Sequence, residues 1–188
     1  NATYAGDTRF NDILPNILSD EFLAWEKSFY TDILNKLKVF NSENLNEEEQ
    51  FTKEILTWEC NINLERLNFR EDLLPINQFW TQHLTIGQFA SGSGAQPFET
   101  VDDYNNWLKR VDAYLEWVSS AEERMNEGID AGYILPKSLI VKVIPQFGEL
   151  AKGETSEHLF FQPVNNFPEG FSQEEKDTLT AAYTKMVE

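Results

Sequence analysis

The side chains that could do chemistry in this chain are two histidines, one cysteine and a large surplus of carboxylates. His83 and His158 stand 75 positions apart. A helix-borne zinc site of the His-Glu-x-x-His kind needs two imidazoles one turn apart, so that both reach one tetrahedral ion while the intervening Glu works on the bound water. That spacing does not occur here. Cys60 has no second cysteine to pair with, and its flanks Trp58 and Ile62 place it on a helix with a buried apolar face, so it reads as a core thiol. A nucleophilic thiol would need a nearby His or a helix N-terminus to lower its pKa. Asp102 and Asp103 are sequence neighbours, which point in different directions on a helix and cannot converge on one substrate atom; they read as helix-start charges. The acidic run Glu43 to Glu49 reads as a solvated helix start in preference to a cation site. Ser91-Gly92-Ser93-Gly94-Ala95 lacks the Lys-Ser/Thr and the preceding strand of a phosphate cradle and reads as a plain connection.

Elements that would position these groups follow from apolar spacing. After a Ser19-Asp20 start signal, Phe22, Trp25, Phe29, Ile33, Leu37 and Phe40 recur at threes and fours, which predicts a helix over about 20–38. Asn46 with Glu49 is a capping pair, and Phe51, Ile55, Trp58, Ile62 and Phe69 predict a second helix over about 47–70 with that stripe buried. Pro75 and the Ser-Gly run allow only a turn of helix and then a loop between Leu74 and Pro97. Thr100 and Asp103 open the clearest helix, carried to about Asn126 by Tyr104, Leu108, Val111, Leu115, Val118 and Met125, with a second stripe at Trp107, Tyr114 and Ala121. At 1.5 Å per residue it would extend about 39 Å. Its two stripes imply neighbours on two sides.

Gly128 and Gly132 bracket the end of that helix, and Pro136 falls where a first helical position tolerates it, leading into Leu139, Ile140, Val143 and Ile144. A fifth helix follows, kinked or ended by Pro145; the β-branched run 138–143 has no second strand to pair with. Gly153 to Gly170 reads as a long irregular loop pinned by Phe160, Phe161 and Phe167. Ser172 and Glu175 cap a last helix carrying Leu179, Ala182, Tyr183 and Met186, which is still in progress at Glu188. The fold class is therefore all-α, an antiparallel array of about five to six helices with an irregular loop before the last.

Composition supports a folded chain with few classes of partner. With 188 residues, 41% apolar and 13% aromatic, there is enough apolar surface for a core. Thirty-two acidic against fifteen basic residues give a net charge of -17, a field that repels phosphate backbones and anionic headgroups. Nucleic acid is thereby excluded as a partner. No apolar run approaches the roughly 20 residues that span a bilayer, so no transmembrane segment is expected. Asn1-Ala2 reads as an expression-tag remnant, leaving 3–188 as one helical domain.

Three stretches in order, Gly6-Asp7-Thr8-Arg9-Phe10-Asn11-Asp12, Gln96-Pro97-Phe98-Glu99-Thr100-Val101-Asp102-Asp103-Tyr104, and Gly128-Ile129-Asp130-Ala131-Gly132-Tyr133-Ile134-Leu135-Pro136-Lys137, resemble the N-terminal portion of the bacterial domain of unknown function 885 family. That resemblance implies a zinc metallohydrolase of peptidase-like plan, periplasmic or secreted, whose His-Glu-x-x-Pro-Gly-His signature lies in a C-terminal half. No residue here matches that signature, so no catalytic or metal-ligating residue is carried over. The implied role of this chain is one helical wall of a substrate channel. Its implied partners are the C-terminal catalytic half of the same parent chain, with zinc there, and a peptide substrate. Gly132, Tyr133, Pro136 and Lys137 would lie near the channel, Lys137 standing where the family often has Arg and giving up the planar fork that grips a carboxylate. Against this stands a helix corner in which the glycines satisfy backbone geometry and the lysine is solvated. A different class of function, a helical binding or scaffold module whose acidic surface meets a basic partner, fits the same charge.

Overall fold

A computed structural model of the chain describes residues 2–79, 81–92 and 94–188. Ser93 of the Ser-Gly run and Asn1 lie outside the described residues. The capping signals set the helix starts. The Ser19 hydroxyl accepts from the Phe22 N–H at 3.1 Å and opens α1, Asp20–Leu37. Asn46 and Glu49 form a reciprocal capping box at 3.0 and 2.9 Å and open α2, Glu47–Arg66. Thr100 with Asp103 does the same for α4, Val101–Ala131, and Ser172 with Glu175 for α7, Gln173–Val187. Each box satisfies two N–H groups that a helix start leaves without intrahelical partners.

Several helix bounds differ from the sequence expectation. The second helix stops at Arg66 rather than 70, where its last carbonyls are taken up by Leu67, Asn68 and Phe69 N–H groups in a tightened turn. A nine-residue helix, α3 (Gln82–Ala90), forms where only a turn was expected. The fifth helix, α5, runs Lys137–Leu150 with Pro145 in its interior, so of the two outcomes expected there the helix is not ended. The region 153–170 is irregular but not featureless. It folds as 3-10 turns at Thr155–Glu157 and Leu159–Phe161 and a single helical turn, α6 (Gln162–Asn165). Seven α-helices are therefore present among the described residues, with no strand among them.

The spine of the core is α4, which buries its second stripe in full and only part of its first. Tyr104, Trp107, Val111, Tyr114, Trp117 and Ala121 are buried at spacings of three and four. Leu115, of the first stripe, is 57% exposed. This side of α4 is covered because α7 and the 153–170 region pack rings against it and give the Tyr104 hydroxyl an acceptor. Tyr183 Oη donates to the Tyr104 carbonyl at 3.1 Å, and Tyr104 Oη donates to the Pro163 carbonyl at 3.0 Å. Phe160 stands edge-on to Trp107, and Phe167 stacks on Tyr104. Burial of these rings satisfies their hydroxyls as well as their faces.

The first two helices form an arm apart from this core. They run antiparallel, tied by Arg66 to Glu26 at 2.6 Å, and Cys60 is the single residue of the pair that is fully buried. At the base of the arm, Arg124 of α4 donates to the Leu18 carbonyl at 3.0 Å and pairs with Asp20 and with Glu127. Arg70 bridges Asp72 at 3.0 Å and Glu127 at 2.7 Å. These pairs fix where the arm leaves the body.

Candidate functional site

The corner between α4 and α5 carries Gly132, Tyr133, Pro136 and Lys137, and its geometry starts with the backbone. Gly132 has φ of 81°, the left-handed region that L side chains rarely adopt. Its N–H donates to the Ile129 carbonyl at 3.2 Å, while the Tyr133 N–H reaches back to the Gly128 carbonyl at 2.7 Å. This pair of bonds closes the helix as a Schellman motif. Gly128 is needed for a separate reason. A Cβ there would lie 2.8 Å from the Leu73 carbonyl oxygen and 3.0 Å from that of Tyr133. Pro136 is the cap residue of α5, one place earlier than expected, its carbonyl accepting from Leu139 and Ile140. Lys137 is the first residue of that helix and is exposed, as is Tyr133. Backbone closure thus accounts for Gly132 and close packing for Gly128, while Tyr133, Pro136 and Lys137 face solvent.

Around this corner the surface is apolar. Ile129 and Ile134 flank the turn, and on α5 Ile140, Val141 and Ile144 share the outer face with Lys137, all exposed. The inner face of α5 carries Val143, buried, with Gln146 and Phe147 half-buried. Ile140 and Ile144 therefore continue the predicted period but point away from the core.

Both histidines are engaged. His83 is fully buried on α3; its Nδ1 is bonded to the Thr81 hydroxyl, its Nε2 lies 3.1 Å from Gln146 Oε1, and its ring stacks on Phe147. Because Gln146 Nε2 donates to the Gln78 carbonyl at 3.2 Å, Oε1 faces the imidazole and Nε2 is the protonated nitrogen. Burial lowers the pKa of His83, with the bond to Gln146 opposing. His158 Nδ1 accepts from the Phe160 N–H at 3.2 Å and caps the turn that follows it. The Cys60 thiol is buried between α1 and α2, and desolvation raises its pKa, the opposite of activation. Among the described residues no group of three His, Cys, Asp or Glu side chains could hold a metal ion. The donor set that zinc requires therefore does not fit this chain.

One functional-looking residue escaped the sequence reading altogether. Arg110 of α4 is 2% exposed, and its guanidinium donates to the carbonyls of Phe10 at 2.7 Å and Ile13 at 3.3 Å, to Thr3 Oγ1 at 2.8 Å and to Gln96 Oε1. Its Cζ lies 4.9 Å from the centre of the Phe89 ring. Desolvation lowers its pKa to about 10, so it stays charged at neutral pH. Arg110 thereby joins two of the three motif stretches, taking Phe10 from the first and Gln96 from the second. Gly6, at φ 76°, and the Asp7–Arg9 pair at 2.7 Å shape the first stretch for that contact. Only the placement of an arginine in the interior of an apolar-periodic helix could have signalled it.

The arm shows the same bare quality as the corner. Trp25 and Phe29 of α1 stack on each other at 5.4 Å and are exposed, and so are Phe51, Ile55, Trp58, Ile62 and Phe69. The stripe expected to bury α2 lies in solvent, because α1 packs on the opposite side of that helix. No helix is long and apolar enough to cross a membrane among the described residues.

Fold and surface together define a class: an all-helical protein with an arginine-tied aromatic core and helix faces that remain apolar and open. The chain belongs to the family described as bacterial protein of unknown function (DUF885), whose model matches residues 1–188. No curated protein and no solved structure matches it.

Proposed function

We propose that this chain is the N-terminal helical portion of a zinc-dependent, peptidase-like hydrolase, a wall of its substrate channel and not catalytic by itself. The observation that supports this reading is the open apolar corner of α4 and α5, where Ile129, Ile134, Ile140, Val141 and Ile144 surround Tyr133 and Lys137. Patches of several hundred Å² are unusual on monomers and mark surfaces that meet something else. In this reading the aliphatic face meets a catalytic portion that supplies every zinc ligand, and Tyr133 and Lys137 border the path of a peptide. Lys137 brings one positive charge and three rotatable donors to that border, suited to a carboxylate without the two-point grip of an arginine. A periplasmic or secreted location belongs to the same proposal.

The test is the whole gene product. A reading frame several hundred residues longer, with zinc and peptide hydrolysis that disappear when its metal motif is mutated, is the expected result. There, Lys137→Ala should lower kcat/KM on peptides with a free carboxylate more than on blocked ones. A reading frame ending near Glu188, or stoichiometric zinc bound by residues 1–188 alone in equilibrium dialysis, would overturn it.

A further inference from the structure

We propose that the outer face of α2 is a docking site for a helix of opposite charge, an amphipathic partner segment whose apolar stripe is flanked by lysine and arginine. Phe51, Ile55, Trp58 and Ile62 stand at i, i+4, i+7 and i+11 and form one stripe along the helix. They are 64, 47, 63 and 42% exposed. Lys53, Thr57, Cys60 and Leu64 repeat the same spacing two residues later, which is the opposite side, and these are less exposed, Cys60 fully buried. The apolar stripe of the helix is thus its open side. With about 1.5 Å of rise per residue the open stripe is about 17 Å long, enough for three turns of a partner helix.

Charge selects the occupant. Glu47, Glu54 and Glu65, at spacings of seven and eleven, run along one edge of the stripe, and Glu48 and Glu59 run along the other, which ends at Arg66 seven positions on. The two cations of α2 are already engaged. Lys53 Nζ donates to the Phe40 carbonyl at 2.6 Å and to Ser42 Oγ at 3.1 Å, and Arg66 pairs with Glu26. An apolar stripe between two acidic rails complements a partner with apolar residues between basic rails. A second copy of the chain would set rail against rail, so self-association through this face is disfavoured. The inference stands on α2 alone and holds whether or not the hydrolase reading does.

Fluorescence anisotropy of a labelled Leu/Lys amphipathic peptide of about 18 residues, with a Leu/Glu peptide of the same pattern as control, tests it. The chain should bind the Lys peptide at least about tenfold more tightly than the Glu peptide, and more weakly as salt rises. The double variant Ile55→Glu with Ile62→Glu separates docking from diffuse attraction. Both positions are exposed, so the fold should persist, and circular dichroism verifies it. The variant is more acidic, so simple charge attraction predicts equal or tighter binding, whereas docking predicts a loss of about tenfold or more. Glu54→Lys with Glu65→Lys, which leaves the stripe intact, should shift preference toward the Glu peptide. Equal binding of the two peptides, undiminished binding by the Ile variant, or a dimer of the parent chain that the Ile variant abolishes in sedimentation would each overturn the proposal.

Discussion

Replacing Arg110 by methionine isolates the contribution of its fork. Methionine keeps an apolar stem beside Phe89 and roughly fills the space, so packing is largely conserved. What disappears is the donor to Thr3 Oγ1, Gln96 Oε1 and the Phe10 and Ile13 carbonyls. Leaving a buried polar atom unsatisfied costs about 1–3 kcal/mol. The Thr3 hydroxyl can turn to another partner, and water can reach the carbonyls if residues 3–13 lift. Removing a cation buried without a direct carboxylate partner also returns part of its desolvation penalty. The balance is a destabilisation of about 3 kcal/mol, a large fraction of the stability of an ordinary domain. Urea unfolding followed by tryptophan fluorescence measures it, and hydrogen exchange locates it: residues 3–13 should lose protection while α4 keeps its own. Arg110→Lys retains the charge but offers one compact ammonium to acceptors spread around a plane, so it should recover less than half of the loss. An Arg110→Met chain within about 0.5 kcal/mol of the parent, or one whose N-terminal protection is unchanged, would refute the reasoning.

Two further outcomes follow from particular contacts. The pKa of His83 is lowered by burial in the folded chain, so between its folded value and 6.5 the unfolded chain binds more protons; stability should therefore fall as pH drops below 6.5 through that window. His83→Gln should flatten this dependence in urea titrations between about pH 7 and pH 5, and an unchanged slope would show that the imidazole is not its source. At the helix end, Gly132→Ala should destabilise by about 1 kcal/mol through its positive φ, and Gly128→Ala by about 1–3 kcal/mol because the added methyl meets two carbonyl oxygens. Thermal unfolding should rank Gly128→Ala as the more damaging, and the reverse order would refute the close approach of α4 to Leu73.

Local signals read well because local bonds make them. Ser19, Asn46, Thr100 and Ser172 announced helix starts that their side chains do form, since a cap needs only residues within one turn. Gly132 announced the end of α4 for the same reason, although the helix runs to Ala131, five residues past the expected end. Of the two outcomes open at Pro145, a stop does not occur: a proline in a helix removes one backbone bond, a penalty that packing of Gln146 and Phe147 against His83 of α3 outweighs.

The candidate site was legible as a turn and not as a surface. Gly128, Gly132 and Pro136 marked the corner, but nothing in their spacing says that Ile140 and Ile144 face outward. Periodicity says that a helix has an apolar face; it does not say whether a neighbour exists to cover it. On α4, Trp107, Tyr114 and Ala121 of the second stripe are buried together with Tyr104 and Val111 of the first, while Leu115 is not, because α7 and the Phe160 region pack their rings on that side. On α2, Cys60 and Leu64 lie on the less exposed side while Phe51 and Trp58 lie in solvent. The sequence alone determined the starts and caps of α1, α2, α4 and α7 and the acidity of the chain, all of which depend on residues close in the chain or on simple sums. Which apolar face is buried, which is left open, and that Arg110 draws the N-terminal segment and Gln96 together depend on partners up to 107 positions away, and only the tertiary structure decided them.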